Sequence, residues 1–407
     1  MLDKHTAFKR KVIKLLYFNR SLSSTDLSIL TNKSLPSTIK ILSELVREKK
    51  VIETGLAIST GGRRPQTYSL KTDLMYIVTV AMDQLFTRIA IINMEGEFIT
   101  EVQTISLHLA HNKNALEQLT RQIDLFIKKS GLPKSKIIAI GIGMPGFIDV
   151  NNGINHTFLT PKDGNSIVSY IESTIQVPVL IDNDSSLIAL SEFRFGAARK
   201  KKNVMVINMG WGVGLGMIVN GELFRGENGF AGEFSHIPLF TNNKLCSCGK
   251  MGCLETETSL LTIAQKAILG LKSGRISKLN KLTLERADET FNAIINAALQ
   301  GDKFAIELIS EAGYNIGRGV AILIHLLNPS LIILSGRGSV AGKIWMAPIQ
   351  QAINEHCIPK LSEHIQIQIS SIGYEAELRG AAALVMEHYE TIEFVSVNKR
   401  KNRKQAA

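Results

Sequence analysis

Gly232-Glu233-Phe234-Ser235-His236 and Cys246-Ser247-Cys248-Gly249-Lys250-Met251-Gly252-Cys253-Leu254-Glu255 are two segments of the chain, with ten positions from the histidine to the first cysteine. They hold three of the four cysteines of the protein within eight residues. Three thiolates and one imidazole form the closed tetrahedral ligand set of a structural zinc site. Two glycines in the short loop allow its backbone to wrap around a small ion. We therefore predict a Zn²⁺ site formed by His236, Cys246, Cys248 and Cys253.

Two glutamates, Glu233 and Glu255, flank the predicted metal loop. Carboxylates held beside a rigid loop can accept hydrogen bonds from sugar hydroxyls. The pattern Glu-x-x-His, followed by Cys-x-Cys-Gly-x-x-Gly-Cys-x-Glu, resembles the signature of the ROK family, which contains sugar-responsive repressors and sugar kinases. The resemblance implies that His236 binds zinc next to the sugar and that both glutamates line the sugar pocket.

The length and composition are those of a multidomain globular protein. A chain of 407 residues is too long for one core and predicts two or three domains. Its most apolar run, Val320 to Leu334, is interrupted by His325 and Asn328-Pro329-Ser330 and is too short to cross a membrane. Since no secretory signal is visible, we expect a cytoplasmic protein without membrane insertion, with its cysteines reduced.

The net charge of +11 is distributed unevenly along the chain. Residues 1–70 carry 13 Lys and Arg against 5 Asp and Glu, and residues 398–407 carry five further cations without an acid. The segment between them is almost neutral, with 29 cations against 31 anions. A basic head on a neutral body predicts a polyanionic partner for the head. The basic tail, residues 392–407, is interpreted as a solvated end.

Residues 1–72 have the pattern of a winged helix-turn-helix domain. A helical apolar stripe covers Phe8 to Tyr17 and is preceded by Thr6 as a possible cap. A second short helix is predicted from Ser23–Thr25 to about Leu30, and Pro36 suits the first turn of a third. The third helix of such a domain enters the major groove of DNA. Its predicted DNA-contacting residues are Ser34, Ser37 and Lys40.

A glycine–proline hairpin, Gly61-Gly62-Arg63-Arg64-Pro65, supplies a plausible wing. Arginine suits phosphate or minor-groove contacts, because a narrow groove concentrates negative potential. Arg63 and Arg64 are therefore predicted DNA contacts. The alternative is a solvated basic loop on a protein-docking module. The head also resembles the N-terminal winged helix of ROK repressors, a domain that the family's sugar kinases lack.

The body, residues 73–391, alternates strands and helices, which indicates α/β architecture. The ROK resemblance implies an actin-like, ribonuclease-H-like fold with two lobes around a cleft. We assign lobe one to about 73–192 plus 376–391 and lobe two to about 193–375.

Three further residues are predicted to contact sugar. Gly146 lies within a motif, Gly141–Asp149, that matches the family's strand-end motif, and it lets the backbone approach a ligand. Asn183 and Asp184 follow a buried strand and could bind vicinal hydroxyls, or serve only as caps of the next helix. In ROK kinases the matching aspartate deprotonates the attacking hydroxyl, so Asp184 would be catalytic only if this chain were a kinase.

The phosphate-binding features of ATP-using members are altered. The family motif Asp-x-Gly-Gly-Thr, whose glycine amides cradle phosphate, falls here on Ala81, Asp83, Gln84 and Leu85. Trp211 stands where the kinases carry a small hydroxyl residue, and Arg337 replaces a glycine of the adenosine-side turn. The sugar half of the site is kept and the nucleotide half is lost, which is typical of a binder.

These observations predict a sugar-responsive, DNA-binding transcriptional regulator, most simply a repressor of carbohydrate-use genes. Its partners would be double-stranded operator DNA and a sugar or sugar phosphate. Two half-sites read by two-fold symmetry require a homodimer or homotetramer. The alternatives are an ATP-dependent sugar kinase with an added N-terminal domain and a sugar-regulated docking protein whose basic head binds an acidic partner.

Overall fold

The structure is a computed structural model that describes residues 3–56, 64–161, 164 and 166–392. The chain divides into two compact units, residues 1–182 with 381–407, and residues 183–380. Within the described ranges, no helix is long and apolar enough to cross a membrane. The predicted tail lies outside the described residues after Ile392.

The N-terminal head has three helices and a small antiparallel sheet, as predicted for a winged helix-turn-helix. Its elements are α1 (Lys4–Asn19), β1 (Ser21–Ser23), α2 (Ser24–Thr31), α3 (Leu35–Arg47), β2 (Val51–Leu56) and β3 (Gln66–Leu70). Strand β3 lies between β1 and β2. The buried face of α3 consists of Thr38, Ile41, Leu42 and Leu45. The apolar positions that fix this face are spaced three or four residues apart, which gives the helix one buried stripe.

The helix caps of the head differ in one place from the sequence prediction. Asp3, not Thr6, caps α1, because its carboxylate accepts hydrogen bonds from the amides of His5 and Thr6. Ser23 caps α2 and forms a capping box with Asp26. Pro36 lies in the first turn of α3, where its missing N–H costs nothing.

The body part of the first unit is built on one five-stranded sheet in the order β10-β7-β4-β5-β6. The elements are β4 (Tyr76–Met82), β5 (Phe86–Ile92), β6 (Gln103–Ser106), α4 (Ala115–Lys129), β7 (Ile137–Met144), β8 (Ile148–Asp149), β9 (Ile154–Asn155), α5 (Ile167–Ile175) and β10 (Val179–Asn183). Every residue of β4 and β7 is buried, as expected for central strands covered on both faces. Strand β6 begins only at Gln103, whereas the sequence predicts a strand from Phe98.

The second unit has its own five-stranded sheet, in the order β13-β12-β11-β14-β15. Its strands are β11 (Val204–Met209), β12 (Val213–Val219), β13 (Glu222–Phe224), β14 (Leu331–Ser335) and β15 (Gln366–Ile369). Its helices are α6 (Asp184–Phe195), α7 (Glu255–Thr258), α8 (Leu260–Lys272), α9 (Ala287–Leu299), α10 (Lys303–Leu327), α11 (Met346–His356) and α12 (Pro359–Ser362). The last helix, α13 (Ala376–Glu387), begins in this unit and belongs to the first unit after Gly380. The predicted α/β class is confirmed.

Helix α6 belongs to the second unit because it packs tightly on β12. A Cβ atom at Gly216 would lie 2.4 Å from the Cβ of Ala189, so only glycine allows this approach. The compact units consequently divide after Asp182 and Gly380, whereas we assigned the lobe boundaries to about 192 and 376 from sequence.

Two basic residues of α1 bind the end of α13, and both partners lie in the first unit. The guanidinium of Arg10 donates to the carbonyl oxygens of Tyr389, Glu390 and Ile392 at 3.3, 3.2 and 2.8 Å. The Nζ of Lys14 donates to the carbonyl of Glu387 at 2.8 Å and pairs with its carboxylate at 3.0 Å. The carbonyls at a helix end lack intrahelical donors, so Lys14 caps α13, while Arg10 binds the segment that follows this helix. Both contacts connect the head to the C-terminal segment of the unit.

Replacing Arg10 with alanine removes three charge-assisted hydrogen bonds from the end of α13. We expect the free energy of unfolding to fall by about 1–3 kcal/mol, with faster amide hydrogen exchange in α1. Denaturant titration and hydrogen exchange measure the two effects. Lys4→Ala, on the exposed start of the same helix, is the matched control. Equal behaviour of the two variants would contradict the assigned role of Arg10.

Candidate metal centre and adjoining carboxylate site

The four predicted metal ligands lie together. One ligand atom from each of His236, Cys246, Cys248 and Cys253 falls within 4.8 Å of all the others. The Nδ1 atom of His236 is 3.5 Å from Sγ of Cys246, and Sγ of Cys248 is 3.6 Å from Sγ of Cys253. A disulfide requires about 2.05 Å, so all four cysteines are free thiols. This group could hold one metal ion.

The chemistry of the thiols fits a bound cation. Burial, together with the neighbouring thiols, raises the pKa of Cys253 to about 12. A dication beside the sulfur atoms reverses this preference, because thiolates are the ligands that transition metals bind. Cys357, the fourth cysteine, follows the last residue of α11 and is not part of the group.

The metal loop has a backbone that only its sequence permits. The amide of Cys246 donates to the carbonyl of Lys250 at 2.8 Å, and that of Gly249 to Cys246 at 2.9 Å. Gly249 and Gly252 have φ of +82° and +74°. A Cβ at Gly252 would lie 2.0 Å from the carbonyl oxygen of Phe240. Both glycines are therefore required by geometry and not only by flexibility.

The residues that bracket the loop are anchored on the long helix α10. Phe234 and Leu254 are 2% and 0% exposed. A Cβ at Gly319 would come within 2.7 Å of the Phe234 ring and 2.9 Å of Leu254. Phe234 is next to Glu233 in sequence, and Leu254 is next to Glu255. The packing of these two apolar residues on α10 therefore fixes the backbone positions of both glutamates.

Glu257 holds the segment before the metal loop through contacts with Asn242 and Lys244, a role that the sequence analysis missed. Its carboxylate accepts a hydrogen bond from Asn242 at 2.6 Å and pairs with Lys244 at 2.5 Å and Lys266 at 2.7 Å. Burial raises the pKa of Glu257, but the two lysines outweigh burial and leave the pKa below its usual value. A Glu-x-Glu pair with distant lysines gives no recognisable sequence signal.

Glu255 is the buried carboxylate of the site. Its Oε2 accepts a hydrogen bond from the amide of Val213 at 3.2 Å. A Cβ at Gly212 would lie 2.7 Å from the same oxygen. Burial raises the pKa of Glu255, against the opposing effect of the Val213 amide. The glycine turn between β11 and β12 is therefore shaped around this carboxylate.

His236 connects the thiol group with the second carboxylate. While Nδ1 faces Cys246, Nε2 lies 3.6 Å from Oε2 of Glu233. Glu233 is 43% exposed along its side chain, so one edge faces solvent. Burial of the remainder raises the pKa of Glu233, as does the Glu255 carboxylate, while His236 lowers it.

Asn183 and Asp184 lie at the start of α6 and act as caps. Oδ1 of Asn183 accepts hydrogen bonds from the amides of Ser185 and Ser186 at 3.0 and 3.2 Å. Asp184 Oδ1 accepts from the amide of Ser185 at 2.7 Å, and Oδ2 accepts from Nδ2 of Asn208 at 3.2 Å. Asn208, at the end of β11, is a second residue that sequence reasoning missed. It orients Asp184 from the hairpin that also holds Glu255.

Gly146 lies in the first unit, whereas the other five candidate sugar contacts lie in the second. Its φ of +98° is a left-handed conformation that favours glycine. A Cβ there would meet the side chain of Thr157 at 2.7 Å. A tight turn thus accounts for the glycine, and its contact with sugar stays a prediction.

The turns that would bind nucleotide are filled by the chain itself. Between β4 and β5, Oδ1 of Asp83 accepts the amides of Leu85 and Phe86 at 2.8 and 2.7 Å. The carboxylate of Asp83 thus stands where the family resemblance places a glycine of the phosphate motif, and it brings a negative charge to that turn. Ala81 is buried at 1% exposure. In the second unit, the buried Trp211 packs against Phe291.

Arg337 closes the other side of this aromatic group. Its guanidinium lies 5.1 Å from the Trp211 ring and 4.2 Å from the Tyr374 ring, and it pairs with Asp288. Cation–π contacts and an ion pair hold the side chain in place.

The predicted DNA contacts in the head have the expected exposure. Ser34, Ser37 and Lys40 are exposed on α3, and Arg64 is exposed before β3. Arg63 lies outside the described residues, as do Gly61 and Gly62 of the predicted wing.

Comparison with known proteins identifies the family. The ROK family profile matches residues 82–388. The chain belongs to the ROK family. A xylose repressor of Caldicellulosiruptor bescii is 30% identical over 398 residues, covering 95% of this chain and 98% of the repressor. The crystal structure of a ROK family transcriptional regulator, a homologue of the E. coli MLC protein, aligns with a TM-score of 0.73 at 26% identity, covering 95% of this chain and 96% of that one.

The share of this chain that is covered distinguishes the repressor relatives from the kinase relatives. A glucokinase of Halalkalibacterium halodurans is 33% identical but covers 64% of this chain and 79% of the kinase. The repressors match along the whole length, head included. The comparisons therefore favour a sugar-responsive transcriptional repressor with the ROK actin-like fold, and the predictions of family, fold class and function are confirmed.

Cys253→Ser removes one predicted ligand from the metal group. We expect the wild-type protein to bind about one metal ion per chain and the variant to lose it and unfold at a lower temperature, because a structural metal contributes folding free energy. Elemental analysis after dialysis and thermal unfolding report both effects. Cys357→Ser removes a buried cysteine outside the group and should retain the metal. Metal retention by Cys253→Ser would refute the assignment.

Gly212→Ala pushes a methyl group against the carboxylate of Glu255. We expect the variant to stay folded and to lose roughly 10- to 100-fold in sugar affinity, since a charged hydrogen-bond acceptor is displaced. Calorimetric titration with a panel of monosaccharides measures the dissociation constant of each variant. At Gly210 a Cβ has no atom nearer than 3.4 Å, so Gly210→Ala is the control and should bind normally. Equal losses in both would contradict the role of Gly212.

Proposed function

We propose that this protein represses carbohydrate-use genes in the cytoplasm and leaves its operator DNA when a sugar or sugar phosphate binds. A repressor of genes for using a sugar must release DNA when that sugar is available. The observation that carries the proposal is the combination of a full-length match to repressors with an ordered carboxylate site and self-filled phosphate turns.

The sugar would bind to the carboxylate edge of the second unit. Glu233, Glu255 and Asp184 supply acceptors for hydroxyl donors, and Asn183 and His236 complete the polar set. The carboxylates of Asp184 and Glu255 are held by main-chain and side-chain donors before any ligand arrives. Such preorganisation reduces the entropy lost on binding.

The metal would be Zn²⁺ with a structural role. A His-Cys₃ set without a place for water is typical of closed zinc sites, and soft thiolates disfavour Mg²⁺ and Ca²⁺. Reduced thiols require a reducing compartment, which supports the cytoplasm. The ion would fix His236, and through it the position of Glu233.

The operator would be read by the winged helix of a homodimer or homotetramer. Ser34, Ser37 and Lys40 face outward from α3, and Arg64 adjoins the predicted wing with Arg63. Two heads related by two-fold symmetry bind two half-sites of a palindrome. Sugar binding acts on DNA only if the sugar has different affinities for the DNA-bound and free states.

Kinase activity is the second candidate, supported by the identity with a glucokinase and by the presence of Asp184, the candidate base. Against it stand the carboxylate of Asp83, which occupies the turn amides, and Trp211 and Arg337, which fill the other turn. We therefore propose a binder and not an enzyme.

Glu255→Gln should separate sugar response from DNA binding. A panel of operator candidates is first obtained by pull-down of genomic DNA. Wild-type protein should then lose at least about tenfold in operator affinity with its sugar, as measured by fluorescence anisotropy. Glu255→Gln keeps its size and should bind the operator normally but respond to sugar weakly. Glu222→Gln, exposed on β13, is the control.

Three outcomes would contradict the proposal. Equal operator affinity with and without every sugar would exclude sugar-responsive repression. Sugar-dependent ADP release in a coupled assay, abolished by Asp184→Asn, would establish the kinase. Binding that ignores DNA sequence, with a salt dependence explained by charge alone, would favour the docking protein.

A further inference from the structure

The exposed face of α3 has an unusual composition for a DNA-reading helix. Its exposed residues are Ser34, Leu35, Pro36, Ser37, Ile39, Lys40, Ser43 and Arg47. From residue 34 to residue 46 the sequence contains no Arg, Asn or Gln. Bidentate recognition of guanine uses Arg or Lys, and that of adenine uses Asn or Gln. The part of α3 that would reach base edges is therefore poor in hydrogen-bonding readers.

Two large aliphatic side chains occupy this face instead. Leu35 is the first residue of α3 and is 40% exposed, and Ile39, one turn later, is 44% exposed. Residues four apart lie side by side on a helix. The first residues of a recognition helix are those that contact base edges. In the major groove the 5-methyl group of thymine is the apolar feature that such side chains can contact.

The charges around the pair favour DNA over an apolar protein partner. The acidic residues of this segment lie at the C-terminal end of α3, away from the pair, and are engaged by α1, Glu44 by Lys9 at 2.7 Å and Glu48 by Lys9 at 2.6 Å. Lys40, next to Ile39 in sequence, and Arg47, in the last turn, are exposed. An aliphatic pair with a neighbouring cation and no neighbouring acid on its helix fits a groove that is lined by phosphates and contains methyl groups.

We propose that Leu35 and Ile39 read thymine methyl groups, so that the operator half-site contains thymines at the positions facing the start of α3. This inference rests on the proposed repressor function and specifies how the operator is chosen. Discrimination comes from burial of methyl groups on the aliphatic pair, with Ser34, Ser37 and Lys40 supplying polar contacts.

Deoxyuridine substitution tests the inference, because uracil pairs like thymine and lacks only the methyl group. Thymines of the selected half-site are replaced singly, and affinity is measured by anisotropy with the full-length protein. We expect wild-type affinity to fall about fourfold for each contacted methyl. Leu35→Ala and Ile39→Ala should bind more weakly and lose most of this sensitivity.

The matched control is Ile52→Ala. Ile52 is also an isoleucine and has the same 44% exposure as Ile39, but it lies on β2, so its variant should keep the full response to deoxyuridine.

Specific operator binding that is unaffected by every deoxyuridine substitution would overturn the inference and leave the repressor function intact. Absence of any sequence-specific binding would instead overturn the proposed function. A changed oligomeric state in Leu35→Ala, with undiminished methyl sensitivity, would make the pair an interface between copies and refute the inference.

Discussion

The contacts of His236 connect the two chemical parts of the second unit. One ring nitrogen faces the thiol group and the other faces Glu233. An imidazole has only two such positions, so engagement of one nitrogen fixes the direction of the other. The packing of Phe234 and Leu254 against Gly319 of α10 holds the two segments that carry His236 and the cysteines. The Cys–His group and the carboxylate of Glu233 are thus connected through one imidazole ring.

The hairpin of β11 and β12 performs the complementary role. Its Asn208 holds Asp184, and its Val213 amide holds Glu255, so one short element positions carboxylates from two distant parts of the chain. Gly212 and Gly214 are needed because side chains there would collide with Glu255 and Ser185. Retained glycines in this turn therefore have a reason unrelated to phosphate, which explains why they persist beside Trp211.

The turns that correspond to the nucleotide half of the family's site are filled by the chain's own side chains. A carboxylate repels phosphate, and Asp83 places one in the turn between β4 and β5, where it accepts hydrogen bonds from the amides of Leu85 and Phe86. An adenosine needs room, and Arg337 stacks between Trp211 and Tyr374. In the first unit, Arg10 and Lys14 fasten the head to the end of α13. Both turns are therefore held by contacts within the chain, and the head is held by contacts to the C-terminal segment of the same unit.

The sequence by itself determined the features that depend on local spacing. The cysteine and histidine spacing identified the metal group, and the apolar periodicity identified the three helices of the head, although the cap of α1 fell on Asp3 because a charged acceptor there reaches two amides. Only the tertiary structure decided the roles of Asn208, Glu257 and Gly212. Asn208 lies 24 residues from its partner Asp184. In the turn that contains Gly212, the Val213 amide lies 42 residues from its partner Glu255. Contacts across such separations depend on how sheets and helices pack, and no periodic pattern in one chain segment records them.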